Sequence, residues 1–192
     1  MENLKDRIKQ DGQVLPGNVL KVNSFLNHQI DSDLMYEIGQ EFAKRFDNEK
    51  ITRILTVESS GIAPALMVGL ALHVPVVFAR KQKSAILNGE VYSSKVYSYT
   101  KQVENIVGID KKFLQADDQV LIIDDFMANG EAVKGLVEIA NQAQAKVVGV
   151  GIVIEKAFQN GGQALRQAGL RVESLAQIAS FTDNQVHFLG EE

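Results

Sequence analysis

The sequence has no cysteine. That excludes disulfide scaffolds, zinc ribbons and thiol nucleophiles. Histidine is scarce as well. His28, His73 and His187 lie far apart, so no pair has the short helical spacing of a metalloprotease site. Positive charge is in deficit. A net charge of -4 argues against a general nucleic-acid or anionic-membrane binder and leaves room only for a local basic pocket. Long hydrophobic runs are missing: Val147 to Ile154 is too short to span a bilayer. Met1 to Gln10 is charged at Glu2, Lys5, Asp6, Arg7 and Lys9 and has no apolar run of signal-peptide length, so the cytoplasm is the expected location. There is no internal repeat and no low-complexity linker. What remains is 192 residues, 45% hydrophobic and 23% charged, which suits one globular domain with its own core.

Leu4 and Ile8 form an i, i+4 pair that predicts a short helix docked at an edge. Asp11 to Gly17 reads as turns, and Val19 to Ile30 has no clean period. Asp31-Ser32-Asp33 offers N-cap chemistry ahead of Leu34, Met35, Ile38, Phe42 and Phe46, which share one helical face. Beyond this point apolar runs alternate with helical stretches. Strands are predicted over 51–57, 74–79, 120–123, 146–154 and 170–178, and helices over 65–72, 132–143 and 163–168. Residues 82–106 are polar and hold three tyrosines; alternation at Val91, Ser93, Lys95 and Tyr97 predicts a hairpin for part of that stretch and a mobile loop for the rest. The pattern predicts an α/β fold, a mostly parallel twisted sheet flanked by helices. Ligands bind beyond the carboxyl ends of such strands, which points to the loops at 58–64, 80 onward and 124–131.

Two of these loops place a glycine just before a helix, where unpaired N–H groups favour phosphate. They are Glu58-Ser59-Ser60-Gly61 and Met127-Ala128-Asn129-Gly130-Glu131. Each alone equally fits a plain strand-to-helix turn. Asp124-Asp125 shifts the balance, because two adjacent carboxylates directly after an apolar strand are costly to bury and repel each other. A ligand combining phosphate with hydroxyls or a divalent cation resolves the conflict; an Asx-type cap with a solvated charge is the alternative. Other phosphate motifs fail. Gly130 and Gly135 have P-loop spacing, but Leu136 stands where lysine is required. Gly149 and Gly151 open a dinucleotide fingerprint that Ile154 breaks, and they lie inside a strand pattern. Lys156 ends an apolar strand near the ligand side; from position alone it serves equally as a hydrogen-bond donor to a ligand or as a snorkelling lysine paired with Glu155.

The run Val120-Leu-Ile-Ile-Asp124-Asp125-Phe-Met-Ala-Asn-Gly130-Glu-Ala132 resembles the phosphoribosyl-diphosphate (PRPP) motif of type I phosphoribosyltransferases. The Glu58-to-Gly61 loop is similar to the family's diphosphate loop, and the likeness covers nearly the whole chain, closest to the purine branch. The resemblance implies a single domain over 1–192 with a hood at 12–30 and a flexible lid over 82–106. It implies Mg²⁺-dependent transfer of phosphoribose from PRPP to xanthine, by a cytoplasmic homodimer with no nucleic-acid or membrane partner. Hypoxanthine–guanine transfer, or a non-catalytic PRPP-sensing regulator, are the alternatives. It assigns the ribose hydroxyls to Asp124 and Asp125, and the 5'-phosphate to Ala128, Asn129, Gly130, Glu131 and Ala132. Ser59, Ser60 and Gly61 take the diphosphate with Lys81 as a cation, and Ser98 and Tyr99 join the PRPP site. Leu20, Asn27 and Lys156 form the base pocket, and no direct protein ligand to the metal is expected. Two departures stand out. Asn129-Gly130 replaces a frequent Thr-Gly, and Ala128 occupies a position where some members carry an aspartate proton acceptor, which alanine cannot replace.

Overall fold

The computed structural model describes residues 1–82, 90–98 and 103–191, without the side chains of Gln82 and Ser98. The chain begins with helix α1 (Glu2–Asp11), which buries Leu4 and Ile8 as their spacing predicts. A two-stranded hairpin follows, β1 (Gln13–Leu15) and β2 (Val19–Lys21), then a five-residue π-helical turn, Asn23–Asn27. Helix α2 (Ser32–Arg45) starts at Asp31, whose carboxylate accepts from the Leu34 amide at 3.1 Å. Its predicted apolar face, from Leu34 to Phe46, is buried.

The main sheet has eight strands. They are β3 (Arg53–Val57), β4 (Val76–Gln82), β5 (Val91–Ser98), β6 (Val103–Asp110), β7 (Gln119–Met127), β8 (Lys146–Lys156), β9 (Val172–Thr182) and β10 (Gln185–Phe188). Their spatial order is β10-β9-β8-β7-β3-β4-β6-β5. The five central strands, β9 to β4, are parallel; β10 and the β5–β6 hairpin pair antiparallel at the two edges. Helices α3 (Ile62–Leu72), α4 (Glu131–Gln142) and α5 (Gly161–Gln167) make the crossovers.

Alternation along β7 divides the core. Leu121 and Ile123 join the cluster under α2 and α3, and Val120 and Ile122 join the cluster under α4. Gly149 and Gly151 are strand residues with a packing role: a Cβ at either would overlap or crowd the rings of Phe46 and Phe42. They let α2 lie close on β8 and have no part in a dinucleotide fingerprint. Four strands, β4, β7, β8 and β9, run further than expected, so residues 80–82 continue β4 where a loop was expected. Asp124 and Asp125 lie within β7, not in the loop after it, because Phe126 and Met127 still pair with Ile154 and Glu155. β8 likewise continues to Lys156.

Helices α2 and α3 meet at Gly39, where a Cβ would sit 2.7 Å from the carbonyl carbon, the carbonyl oxygen and the Cβ of Met67. Backbone cannot yield as a side-chain tip can. Gly39→Ala gains about 1 kcal/mol of helix propensity and meets an overpacking cost of about 1–3 kcal/mol, at the upper end here. A net loss of about 1–2 kcal/mol is expected from urea unfolding; unchanged or higher stability would show that the helices slide apart freely.

Candidate functional site

A cavity of about 410 Å³ opens at the carboxyl ends of β3, β4 and β7. Lys81, Asp124 and the whole stretch Ala128 to Ala132 line it together. Lys81 is more than forty residues from the others in sequence, so its convergence with them is a product of the sheet. Gly130 has φ +77° and forms the N-cap of α4, a conformation that favours glycine. The first amides of α4 therefore point into the cavity end, with the helix dipole behind them. Glu131 is turned aside: its carboxylate pairs with Lys134 at 2.8 Å, so only its amide is offered to an anion.

Gly61 is different. It caps α3 with an ordinary right-handed φ of -67°, so a left-handed turn is not its purpose. Close approach is. A Cβ there would overlap Thr56 Oγ1 and lie 2.7 Å from Asp124 Oδ1. The Thr56 hydroxyl is buried and, among the described residues, has no hydrogen-bond partner. Asp124 is 4% exposed. Burial, then the charge of Asp125, pushes its pKa well above the ordinary carboxylate value. Asp125 is raised by burial too, against hydrogen bonds that favour its ion, one of them from the Asn27 side chain. Its own amide donates to Asp124 Oδ1 at 3.0 Å.

Ser59 and Ser60 do not line that cavity; they line a second one of about 440 Å³ together with Asn27. Leu20 on β2 is buried in the same apolar cluster as Val22 and Phe25. Lys156 donates from Nζ to the Asn18 carbonyl at 2.8 Å, across 138 residues of sequence, and burial lowers its pKa. Its pairing with Glu155 does not occur; Glu155 pairs with Arg166 at 2.8 Å. Tyr99 and the Ser98 side chain lie outside the described residues. Sequence reasoning placed Glu58 in a candidate loop but missed its contact: Oε1 accepts from the Lys81 amide at 2.8 Å and ties that loop to β4. It also missed Tyr97 and Asn105, which the hairpin brings to the cavity wall. No short spacing marks any of these residues.

The chain matches the model of the phosphoribosyl transferase domain over residues 27–185. It is 62% identical over 192 residues to xanthine phosphoribosyltransferase of Ligilactobacillus salivarius, covering 100% of both chains. It is 64% identical over 188 residues to the protein of the same name in Levilactobacillus brevis, covering 98% of each. Among solved structures, adenine phosphoribosyl transferase of Trypanosoma brucei, in complex with AMP, pyrophosphate and ribose-5-phosphate, superposes with a TM-score of 0.76 at 22% identity, over 98% of this chain and 86% of that one. That likeness establishes the fold.

The raised pKa of Asp124 has a consequence for stability. Between the ordinary carboxylate value and the raised one, the folded chain binds more protons than the unfolded chain, so stability falls as pH rises through that window. Asp124→Asn removes the cost. Its urea midpoint should exceed that of the wild type at pH 7, and the gap should close as pH falls below the ordinary carboxylate range. A variant less stable than wild type at pH 7 would mean that the carboxylate stabilises the fold as an ion.

Proposed function

The chain belongs to the phosphoribosyl transferase family, and on that basis we propose that it transfers the 5-phosphoribosyl group of PRPP to xanthine, giving xanthosine 5'-monophosphate and diphosphate for purine salvage. The observation that carries the residue assignment is the convergence of Lys81, Asp124 and Ala128 to Ala132 on one cavity. The amides of 128–132 hold the 5'-phosphate against the α4 dipole. Asp124 and Asp125 accept the ribose hydroxyls. The anomeric C–O bond breaks, the bond to the purine nitrogen forms, and the electron pair leaves with the diphosphate. Lys81 and the 59–61 loop meet that growing negative charge. The two carboxylates favour the positive charge that develops on the sugar.

Among the described residues no three His, Cys, Asp or Glu side chains cluster as a metal site. The buried Asp124 and the partly buried Asp125, which repel each other beside an unpartnered hydroxyl, fit a divalent cation such as Mg²⁺, which would be held there through its water shell. When bound, it supplies positive charge to the leaving group. Lys156, released from the Asn18 carbonyl, donates to the 6-oxo group and rejects an amino group there. Asn27 and Leu20 complete the base side. Val96 and Tyr97 on β5, with Asn105 on β6, close the cavity from above, which supports a water-excluding lid in this hairpin. We place the enzyme in the cytoplasm as a homodimer; Leu66 and Leu70 on α3 are more than half exposed and support burial against a second copy. Because Lys156 addresses only the 6-position, hypoxanthine–guanine transfer is the alternative reading.

The test compares kcat/KM for xanthine, hypoxanthine, guanine and adenine with PRPP and Mg²⁺. Xanthine should lead and adenine should fail. Preference for guanine or hypoxanthine would move the assignment to the alternative, and no turnover with any purine would favour a PRPP-sensing regulator. Lys156→Ala should raise KM for xanthine by about tenfold or more, the worth of a charge-assisted hydrogen bond, and leave KM for PRPP nearly unchanged. Equal losses for both substrates would make Lys156 a structural lysine.

A further inference from the structure

Behind the phosphate loop lies a buried charged cluster to which the mechanism above gives no role. Glu155 sits on β8, one residue before Lys156, and is 2% exposed. Both of its oxygens are engaged. Arg166 reaches it in bidentate fashion, Nη1 to Oε1 and Nη2 to Oε2, each at 2.8 Å. Gln177 donates at 3.0 Å and Ser174 donates through its hydroxyl. A bidentate carboxylate–guanidinium pair fixes direction as well as distance. Buried pairs of this kind add little net stability compared with apolar packing, so their structural effect is mainly geometric.

The geometry leads from this pair to the phosphate loop. Arg166 is carried by α5. At Gly162, in the first turn of α5, a Cβ would overlap Glu155 Oε1 and come within 2.6 Å of Arg166 Nη1. At the preceding Gly161 a Cβ would overlap the Ala128 carbonyl oxygen and lie 2.6 Å from the Asn129 carbonyl carbon and the Gly130 nitrogen. The Gly161 amide donates to the same Ala128 oxygen at 3.1 Å. Carboxylate, helix turn and loop backbone are thus stacked with no space for a methyl group at either joint.

We propose that Glu155 is a positioning residue for PRPP: paired with Arg166, it seats the first turn of α5 and, through Gly162 and Gly161, sets where the 128–132 amides stand. The inference rests on the reading of Ala128 to Ala132 as the 5'-phosphate cradle. A carboxylate that touches no substrate then governs the affinity for one substrate of the two. Displacements of about 1 Å at a binding loop can cost up to about a hundredfold.

The experiment measures KM for PRPP and KM for xanthine separately in Gly161→Ala, Gly162→Ala and Glu155→Gln, together with the rise in melting temperature that ribose 5-phosphate produces. Gly161→Ala and Gly162→Ala perturb the stack from its two ends. Both should raise KM for PRPP by about tenfold or more, change KM for xanthine by less than about threefold, and lose most of the ribose 5-phosphate effect. Glu155→Gln should show the same selectivity to a smaller degree. Wild-type KM for PRPP in a folded Gly162→Ala, or equal rises in both KM values, would overturn the proposal. A Glu155→Gln chain that fails to fold leaves the two glycine variants to decide the question. If wild-type protein itself gains nothing from PRPP or ribose 5-phosphate, the phosphate-cradle reading fails first, and this proposal with it.

Discussion

A buried carboxylate, Asp124, is held directly beside a second, partly buried one, Asp125, and the rest of the site is arranged around that cost. Asp124 and Asp125 sit inside β7 while the strand is still paired on both sides of them. Among the described residues neither forms a salt bridge. Gly61, lacking a Cβ, lets the α3 loop press onto Asp124, and the Thr56 hydroxyl beside it stays unpartnered. Ionising such a pair is costly even with the hydrogen bonds it accepts, because burial and the neighbouring charge oppose it. A diol, a hydrated cation or a sugar with developing positive charge would offset that cost. The proposed substrate would thus relieve a cost that the free protein carries, and stability is given up for binding.

The sheet then separates the tasks by the alternation of its strands. Asp124 opens onto the cavity in front of α4, and Asp125 reaches Asn27 under the hood. On the next strand Glu155 engages Arg166 of α5, and Lys156 turns to the Asn18 carbonyl of the β1–β2 turn. Two adjacent residues on each strand thus face opposite sides of the sheet and meet different elements. The hairpin β5–β6 is fastened to α4 in the same economical manner. Gln142 exchanges hydrogen bonds with the backbone of Ser93 at 3.0 and 2.7 Å, Glu138 accepts from the Ser94 hydroxyl, and a Cβ at Gly135 would crowd Val96. The helix whose first amides form the proposed phosphate cradle holds the hairpin along its length.

The parallel core was legible because its strands are near-continuous apolar runs buried on both faces. The α2 face and the Asp31 cap were legible because helical period and cap chemistry are local. β10, four residues long, carries too short a pattern to stand out, and β6, an interior strand between β4 and β5, mixes Glu104 and Asn105 into a run that is only partly covered. The ends of β7 and β8 read as loops because Asp124, Asp125 and Lys156 are polar; pairing with neighbouring strands, which no single segment reveals, keeps them extended. A glycine just before a helix was legible at both Gly130 and Gly61, but the local pattern does not tell a left-handed turn from a close approach: Gly130 takes the first, and Gly61 the second, because Asp124 arrives beside it from another strand. Asn27 with Asp125 and Lys156 with Asn18 join segments about a hundred residues apart, so local spacing holds no trace of them.

The register between β7 and β8 explains why these parts suit a nucleotide. Met127 pairs with Glu155, so the phosphate loop starts at Ala128 on the same rung at which Lys156 ends its strand. Parallel neighbours lie about 4.8 Å apart, so the proposed phosphate cradle and the proposed base-reading lysine begin as close neighbours. They then diverge. The loop turns through Gly130 toward α4, and Lys156 turns toward the hood. Asp124 and Asp125 lie on the strand that leads into the loop, a few residues before it. In the proposed reading, a sugar that holds a phosphate on one carbon and accepts a base on another would place its diol near those carboxylates. The spacing between loop and lysine is set by hydrogen-bonded strands, the least deformable elements available.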